Sequence, residues 1–188
     1  MAAPVVLVLP ATRRLFTYED DSVTTTEGVP AVPVRVCAVL VEGGELCLIR
    51  RERPAGAQYS LPGGLLHADE QVPAGLAREL REELGLDVAA LPEPPRLIRV
   101  QDQVTTRPGR PGTFRRLHLI HLVTVPHEMR AAFPAAELDA EDGTRVVWVP
   151  LAEAAGLHLY PAAGPVLLDP AGSGVLLPPL TDLTYAWR

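Results

Sequence analysis

The sequence predicts an α/β domain, and three features predict it. Residues 34–50 alternate as a two-stranded hairpin around Gly43-Gly44, residues 73–84 repeat apolar side chains at helical spacing, and residues 97–101, 116–125 and 144–149 have strand character. Strands therefore precede and follow one pronounced helix.

At 188 residues one domain is expected, with a core large enough to need no staples and with room for extensions. Residues 1–30 are expected to be an N-terminal extension. The run Val5-Val6-Leu7-Val8-Leu9 makes a poor solvated tail, so an arm packed on its own domain or on a second subunit is expected ahead of a disordered one. The run lies between Pro4 and Pro10, follows no positive charge and is too short for a signal sequence, so the expectation is a cytoplasmic protein. No apolar run approaches the roughly 18 residues of a membrane span, so no membrane partner is expected. A net charge of −6 and a pI near 5.4 argue against binding duplex nucleic acid. A small anionic substrate is compatible, because a metal and a local arginine cluster override the overall sign. All 17 basic residues are Arg, which fits a GC-rich coding sequence and makes arginine abundance weak evidence for phosphate binding.

In the hairpin, pairing Glu42 with Glu45 puts Cys47 opposite Leu40 and Cys37 opposite Arg50. The two cysteines then lie on opposite faces, too far apart for a disulfide, and two buried free thiols are expected. Beyond Arg50-Arg51-Glu52-Arg53-Pro54, a loop reaches Leu61-Pro62-Gly63-Gly64, where glycine lets the backbone approach a ligand closely.

Pro73 suits a first helical position and Gly85 the left-handed residue past a helix end. Leu76, Ala77, Leu80 and Leu84 share the inward face. Glu79, Glu82 and Glu83 fall within an arc of roughly 100° beside it. Like charges so placed oppose one another by a few tenths of a kcal/mol per pair, which calls for compensation. Water with Arg78 and Arg81 is one compensation. A hard divalent cation, which takes oxygen ligands and is shared with a phosphorylated substrate, is the other.

Pro92, Pro94 and Pro95 break the chain before the strand at 97–101. Residues 105–116 are expected to be an exposed loop carrying Arg107, Arg110, Arg115 and Arg116, either a substrate lid or phosphate contact or a plain solvated loop, with Phe114 either stacking on a base or anchoring the loop. Residues 116–125 are expected to be a strand buried on both faces. A metal pair of His121 with His118 or His127 competes there with ordinary packed histidines. Pro126–Asp142 reads as a long acidic loop, residues 144–149 as a strand with Trp148 in the core, and the tail as extended packing across a surface or a dimer partner rather than a helix from Pro165.

Gly64, five residues, Glu70, seven residues, Arg78-Glu79-Leu80, one residue, Glu82-Glu83, one residue and Gly85-Leu86 together resemble the Nudix box of the Nudix hydrolase superfamily at every specified position. A chance match is rarer than about one in a million at ordinary residue usage. The resemblance extends over about residues 34–156, including Leu61-Pro62-Gly63-Gly64 and the closing Trp148-Val149-Pro150-Leu151.

It implies an α/β/α sandwich with a central mixed sheet. Residues 31–160 would form the Nudix domain, and 161–188 a C-terminal extension packing on the domain or a partner subunit. It implies hydrolysis of a phosphoanhydride in a nucleoside diphosphate linked to another moiety, with Mg2+ or Mn2+ as cofactor, a small-molecule nucleotide as partner and a homodimer as an open assembly. Carried over by position, Glu79, Glu82, Glu83 and the Gly64 carbonyl would hold metal, and Arg78 would pair with Glu70 or a ligand carboxylate. The general base would be Glu82 or Glu79, or an acidic residue of the later loop, with Glu141 or Glu137 as candidates. Substrate contacts are expected from Arg50, Arg51, Tyr59 and Arg115. The extensions favour an ADP-ribose or nucleotide-sugar substrate. The alternatives are a MutT-like nucleoside triphosphate pyrophosphohydrolase and a non-catalytic Nudix-fold ligand sensor, the latter disfavoured by the complete box. Prenyl diphosphate isomerisation would need an active-site cysteine that a hairpin Cys37 or Cys47 does not offer.

Overall fold

The computed structural model describes residues 31–54, 56–107, 109–139, 143–169, 172 and 174–186. The N-terminal extension and Glu141 lie outside the described residues.

Strands β1 (Val34–Glu42) and β2 (Glu45–Arg53) join through Gly43 and Gly44 at φ 56° and 82°. Positive φ at both turn residues is what a two-residue hairpin requires. Glu42 pairs with Glu45 and Leu40 with Cys47 as expected, but pairing then stops, so Cys37 never faces Arg50. The strands diverge instead. Strand β3 (Gly56–Ser60) takes up Ile49–Arg53 of β2, while residues 62–66 line the freed edge of β1. There the Ala38 and Val36 N–H groups donate to the carbonyls of Pro62 and Gly64, both at 3.0 Å. This split in the sheet positions the site.

The remaining elements are α1 (Val72–Leu84), β4 (Arg96–Arg107), β5 (Arg110–Thr124), α2 (His127–Arg130), β6 (Thr144–Pro150), α3 (Leu151–Ala154), β7 (Leu159–Tyr160), α4 (Gly164–Leu168) and β8 (Leu180–Asp182). The sheet runs β7-β3-β2-β1-β5-β4-β8, with β6 on β2. It is mixed: β1 with β5, β3 with β7 and β4 with β8 are parallel, and the other pairs are antiparallel. Leu76, Leu80 and Leu84 of α1 pack with Val36, Ala38, Leu40, Cys47 and Ile49 on one face. Ala154, Ala163, Val166 and Leu167 from the α3 and α4 region pack with Cys37, Val39, Leu46, Leu48 and Ile120 on the other. Helices thus cover both faces, as an α/β/α sandwich requires, and both cysteines are buried and free.

Two further expectations are corrected, and of the two readings of the histidines the metal pair finds no support among the described residues. Residues 105–116 are not an exposed loop: β4 and β5 continue through them, pairing Thr105 with Phe114 and turning between Arg107 and Arg110. Within the described part of this stretch only Thr105 and Arg116 are buried, so the hairpin stands largely exposed and has no hydrophobic alternation to reveal it. Pro165 does open a helix, where a proline in the first turn lacks an N–H that would be unpaired anyway. The histidines form no metal pair: His118 and His121 stand on opposite faces of β5, and His127 Nδ1 lies 3.0 Å from Glu42. Among the described residues no helix is long and apolar enough to cross a membrane.

The tail packs on the edge of β4. Strand β8 pairs with Gln103–Thr105, and the Val100 N–H donates to Val175 at 2.7 Å.

Candidate active site

Helix α1 presents the carboxylates, and its apolar stripe sets their direction. With Leu76, Leu80 and Leu84 buried, Glu79 and Glu83 also turn inward, at 9% and 8% exposure, beneath the Gly63–Gly64 loop, while Glu82 faces outward. The helix ends at Gly85 with φ 68°, where the Gly85 N–H donates to Arg81 at 2.9 Å and the Leu86 N–H to Leu80 at 3.1 Å.

Both loop glycines are required by contact. A Cβ on Gly63, at φ 129°, would overlap the Val36 carbonyl, and one on Gly64 would overlap the Glu79 carboxylate. The Gly63 N–H donates to Glu83 Oε2 at 2.7 Å. The Gly64 carbonyl accepts from Val36, and a carbonyl oxygen has a second lone pair for another partner. Arg35, a buried charge within a valine-rich strand, holds the loop from below, its Nη2 donating to the carbonyls of Leu61 at 3.0 Å and of Gly63.

Arg78 collects the remaining carboxylates. Its Nε and Nη2 reach the two oxygens of Glu70, each at 2.9 Å. Its Nη1 reaches Glu79 at 2.7 Å and Glu82 at 3.0 Å. From the acidic loop, Glu137 meets Arg51 Nη2 with both oxygens, at 2.6 and 2.7 Å, and Arg51 Nη1 donates to Ser60 at 2.7 Å. The Leu138 N–H, donating to the Glu83 carbonyl at 2.9 Å, ties that loop to α1.

Electrostatics divides these groups. Hydrogen bonds from Arg78 hold the Glu70 carboxyl down to about 2. Burial pushes Glu79 up, against Arg78 and Arg35. Burial also pushes Glu83 up, reinforced by the charges of Glu137 and Glu79 and opposed by Arg35 and the Gly63 N–H. Two buried carboxylates with raised affinity for positive charge, set against a glycine that leaves room for one of them, suit a hard cation with oxygen ligands. Among the described residues no three carboxylate, imidazole or thiol groups already converge on one point. Glu79 and Glu82 converge instead on the Arg78 nitrogen.

A cavity of about 630 Å³ opens where the sheet splits, and Arg35, Arg51, Arg53, Arg107 and Arg110 line it. Phe114, Tyr160 and Tyr185 supply aromatic walls, and no carboxylate is among its described lining residues. Of the expected substrate contacts only Arg51 lies here. Arg50 pairs with Glu52 at 2.5 Å, Tyr59 packs in the core beside α3 and α4, and Arg115 pairs with Asp102 at 2.6 and 2.9 Å. Arg53 lies in the Arg50–Tyr59 stretch expected to set specificity, and Arg107, Arg110 and Phe114 come from the arginine-rich stretch, whereas Arg35, Tyr160 and Tyr185 were not legible as site residues. A charge at the start of the Val34–Val41 run was the one available signal, for Arg35.

A carboxylate-bearing helix under a double-glycine loop, beside a cationic cleft in a split mixed sheet, is an arrangement suited to holding a hard cation next to an anionic small molecule. Residues 30–169 match the family model of the NUDIX domain. The chain is 33% identical over 130 residues to Putative 8-oxo-dGTP diphosphatase 2 of Mycobacterium tuberculosis, in strains CDC 1551 / Oshkosh and ATCC 25618 / H37Rv alike, covering 68% of this chain and 79% of that protein. The fold is also that of the mutator MutT protein from Bacillus halodurans, with a TM-score of 0.58 at 17% identity over 81% of this chain and 92% of that one. The chain belongs to the Nudix family and is a Nudix hydrolase. Nudix hydrolases act on small nucleotide substrates and generally use divalent metal ions.

Proposed function

We propose that the protein hydrolyses a phosphoanhydride in a nucleoside diphosphate linked to a further group, using Mg2+ or Mn2+ held by Glu79, Glu82, Glu83 and the Gly64 carbonyl. The observation that carries this reading is the arginine-lined cavity. Two of its residues also belong to the carboxylate cluster: Arg35 supports the glycine loop and Arg51 holds Glu137.

A further phosphate is the linked group favoured by the lining. Five guanidinium groups with only Gln58 and Ser60 as neutral polar side chains beside two tyrosines suit anions better than sugar hydroxyls. The name of the mycobacterial relative points the same way. This favours a nucleoside triphosphate over ADP-ribose or a nucleotide sugar. The aromatic wall of Tyr160 and Tyr185, on which a second ring or sugar could pack, keeps the latter as a second reading. The same reading places the enzyme in the cytoplasm with its nucleotide, and no second subunit is needed to line the cavity.

A bound divalent cation neutralises phosphate oxygens and lowers the pKa of a coordinated water. The chain's own residues do the rest. Arg35 and the Gly63 N–H fix the loop above Glu83, and Arg78 aims Glu79 and Glu82. Glu82, with its side chain 47% exposed, can take a proton from water more readily than Glu137, whose oxygens are both engaged by Arg51. Glu82 is therefore our choice of general base within the box, and Glu141 the candidate from the loop.

The test is a panel of nucleoside triphosphates, oxidised triphosphates, nucleotide sugars and dinucleotides with Mg2+ and Mn2+ in 18O water, which identifies substrate and attacked phosphorus together. Glu82→Gln is expected to lower kcat at least about a hundredfold. Unchanged turnover would remove Glu82 from the chemistry. Affinity for nucleotides with turnover of none would favour a ligand sensor.

A further inference from the structure

The tail runs along β4, and its last described turn reaches the cavity. A strand added there covers an exposed sheet edge, which is a structural service by itself. The turn after β8 does something that edge protection does not require. Tyr185 has φ 60°, the only described non-glycine residue with positive φ, in a region that bulky side chains avoid. The conformation is over-determined: Asp182 accepts from the Thr184 N–H at 2.8 Å, the Thr184 hydroxyl at 2.7 Å and the Ala186 N–H at 2.9 Å. Strain held in place in this way is concentrated at ligand sites.

The strained residue points its ring into the cavity. The ring packs edge-to-face on His158, with centroids 4.9 Å apart, and its hydroxyl is hydrogen-bonded to Gln58 of β3. Arg53 of β2 and Arg107 of β4 act on it electrostatically, so it bridges the two halves of the split sheet. Phe114 stands on the same wall, with Arg107 4.6 Å from its centroid. Arg35 and Arg51, which hold the glycine loop and Glu137, line the same cavity as these rings, so one space joins the carboxylate cluster to the aromatic wall.

We propose that Tyr185 is a base-recognition residue: the C-terminal turn supplies the wall on which the planar base of a nucleotide substrate packs, with Arg53 and Arg107 beside the base and Arg35 and Arg51 toward its phosphates. This rests on the nucleotide-hydrolase reading above and deepens it by assigning specificity to the tail. Aromatic and guanidinium surfaces both accept a base face, and such contacts tolerate different bases unless edge groups discriminate. Gln58, whose Oε1 accepts from Arg53 Nε at 3.4 Å and which also bonds the Tyr185 hydroxyl, fixes both side chains on that wall.

The experiment uses the full chain, with GMP as a binding probe in calorimetry without metal, and dGTP and inorganic tripolyphosphate as substrates. Tyr185→Ala is expected to weaken GMP and raise the KM for dGTP about tenfold, the size of one lost stacking contact, while changing the KM of the base-free tripolyphosphate less than about twofold. Tyr185→Phe, which keeps the ring, is expected to recover most of the loss. Asp182→Asn, which loosens the turn but keeps the ring, is expected to weaken GMP as well and guards against a folding defect in the alanine variant, with melting temperatures recorded for all. Unchanged GMP and dGTP binding in Tyr185→Ala and Asp182→Asn, or an equal loss for tripolyphosphate, would overturn the inference, as would wild-type protein that binds no GMP. GMP binding that depends on Tyr185 in a protein that hydrolyses no nucleotide would sink only the hydrolase reading.

Discussion

Arg78 meets Glu70 as a two-pronged pair, Nε to Oε1 and Nη2 to Oε2, each at 2.9 Å, and this pair leaves Nη1 to hold Glu79 and Glu82. One guanidinium thus fixes the loop before α1 and aims two carboxylates on it. Lysine keeps the charge but not the fork. Arg78→Lys is expected to lower kcat about 10- to 100-fold and to raise the Mg2+ concentration for half-maximal activity, as loss of a residue that orients metal ligands does. A variant with wild-type kcat and Mg2+ dependence would show that the carboxylates are aimed by something else.

The adjacent glycines are expected to fail differently. At Gly63 an added Cβ meets the Val36 carbonyl in a backbone conformation of φ 129°, so neither side can yield cheaply. Gly63→Ala is expected to lose about 3 kcal/mol or more of stability. At Gly64 the Cβ meets only the end of the Glu79 side chain, which can rotate away. Gly64→Ala is expected to melt within about 1 kcal/mol of wild type and to lose activity, because the displaced carboxylate is a proposed metal ligand. Thermal melts and assays on both variants separate the two; a stable, fully active Gly64→Ala would contradict the assignment of Glu79.

The carboxylate half of this site was legible because it is local. The spacing of Leu76, Leu80 and Leu84 fixes which way Glu79 and Glu83 point, and the Gly63-Gly64 pair stands out in the sequence even though its contacts, Val36 for Gly63 and Glu79 for Gly64, come from β1 and α1. The cavity half is assembled over long range. Arg35 faces His118 across parallel strands, Tyr160 accepts from Arg116 at 2.8 Å, and Tyr185 arrives from the tail. The Pro-Gly turn signals and arginine content of residues 105–116, a largely exposed stretch, made them read as a solvated loop, since a hairpin that projects into solvent carries no apolar alternation.

His118 gives the fold a pH dependence. Its ring is fully buried with neither nitrogen hydrogen-bonded, beside the Tyr160 ring at 5.1 Å. Burial, with Arg35 and Arg116 adding to it, holds its pKa well below 6.5. The unfolded chain takes a proton near 6.5 that the folded chain refuses, so the contribution to stability is complete above that pH and falls as pH drops below it. The slope approaches about 1.4 kcal/mol per pH unit between the unfolded and folded values. Melting temperature is expected to decline from pH 7.5 to 5, and His118→Leu is expected to flatten the decline. A residual slope from His121, whose pKa burial also lowers, should persist. Parallel profiles for the two proteins would exclude His118 as the source.

Arg51 and Glu137 make the most demanding test of how the acidic loop is held. The Glu137 side chain is 2% exposed and Arg51 29%, with both carboxylate oxygens on one guanidinium nitrogen at 2.6 and 2.7 Å. Removing one partner of a buried pair strands the other, so Arg51→Ala is expected to cost about 3–5 kcal/mol. Replacing both by apolar side chains removes the stranded charge, and Arg51→Met with Glu137→Leu is expected to recover most of that loss. Activity should not recover with it. The loop reaches the site through Leu138 on the Glu83 carbonyl, and Arg51 itself lines the cavity. Urea melts of the two single variants and the double variant, run beside kcat/KM, read both quantities. If the effects of the single variants simply added in the double, the pair would be an incidental contact and the loop would have to be held elsewhere.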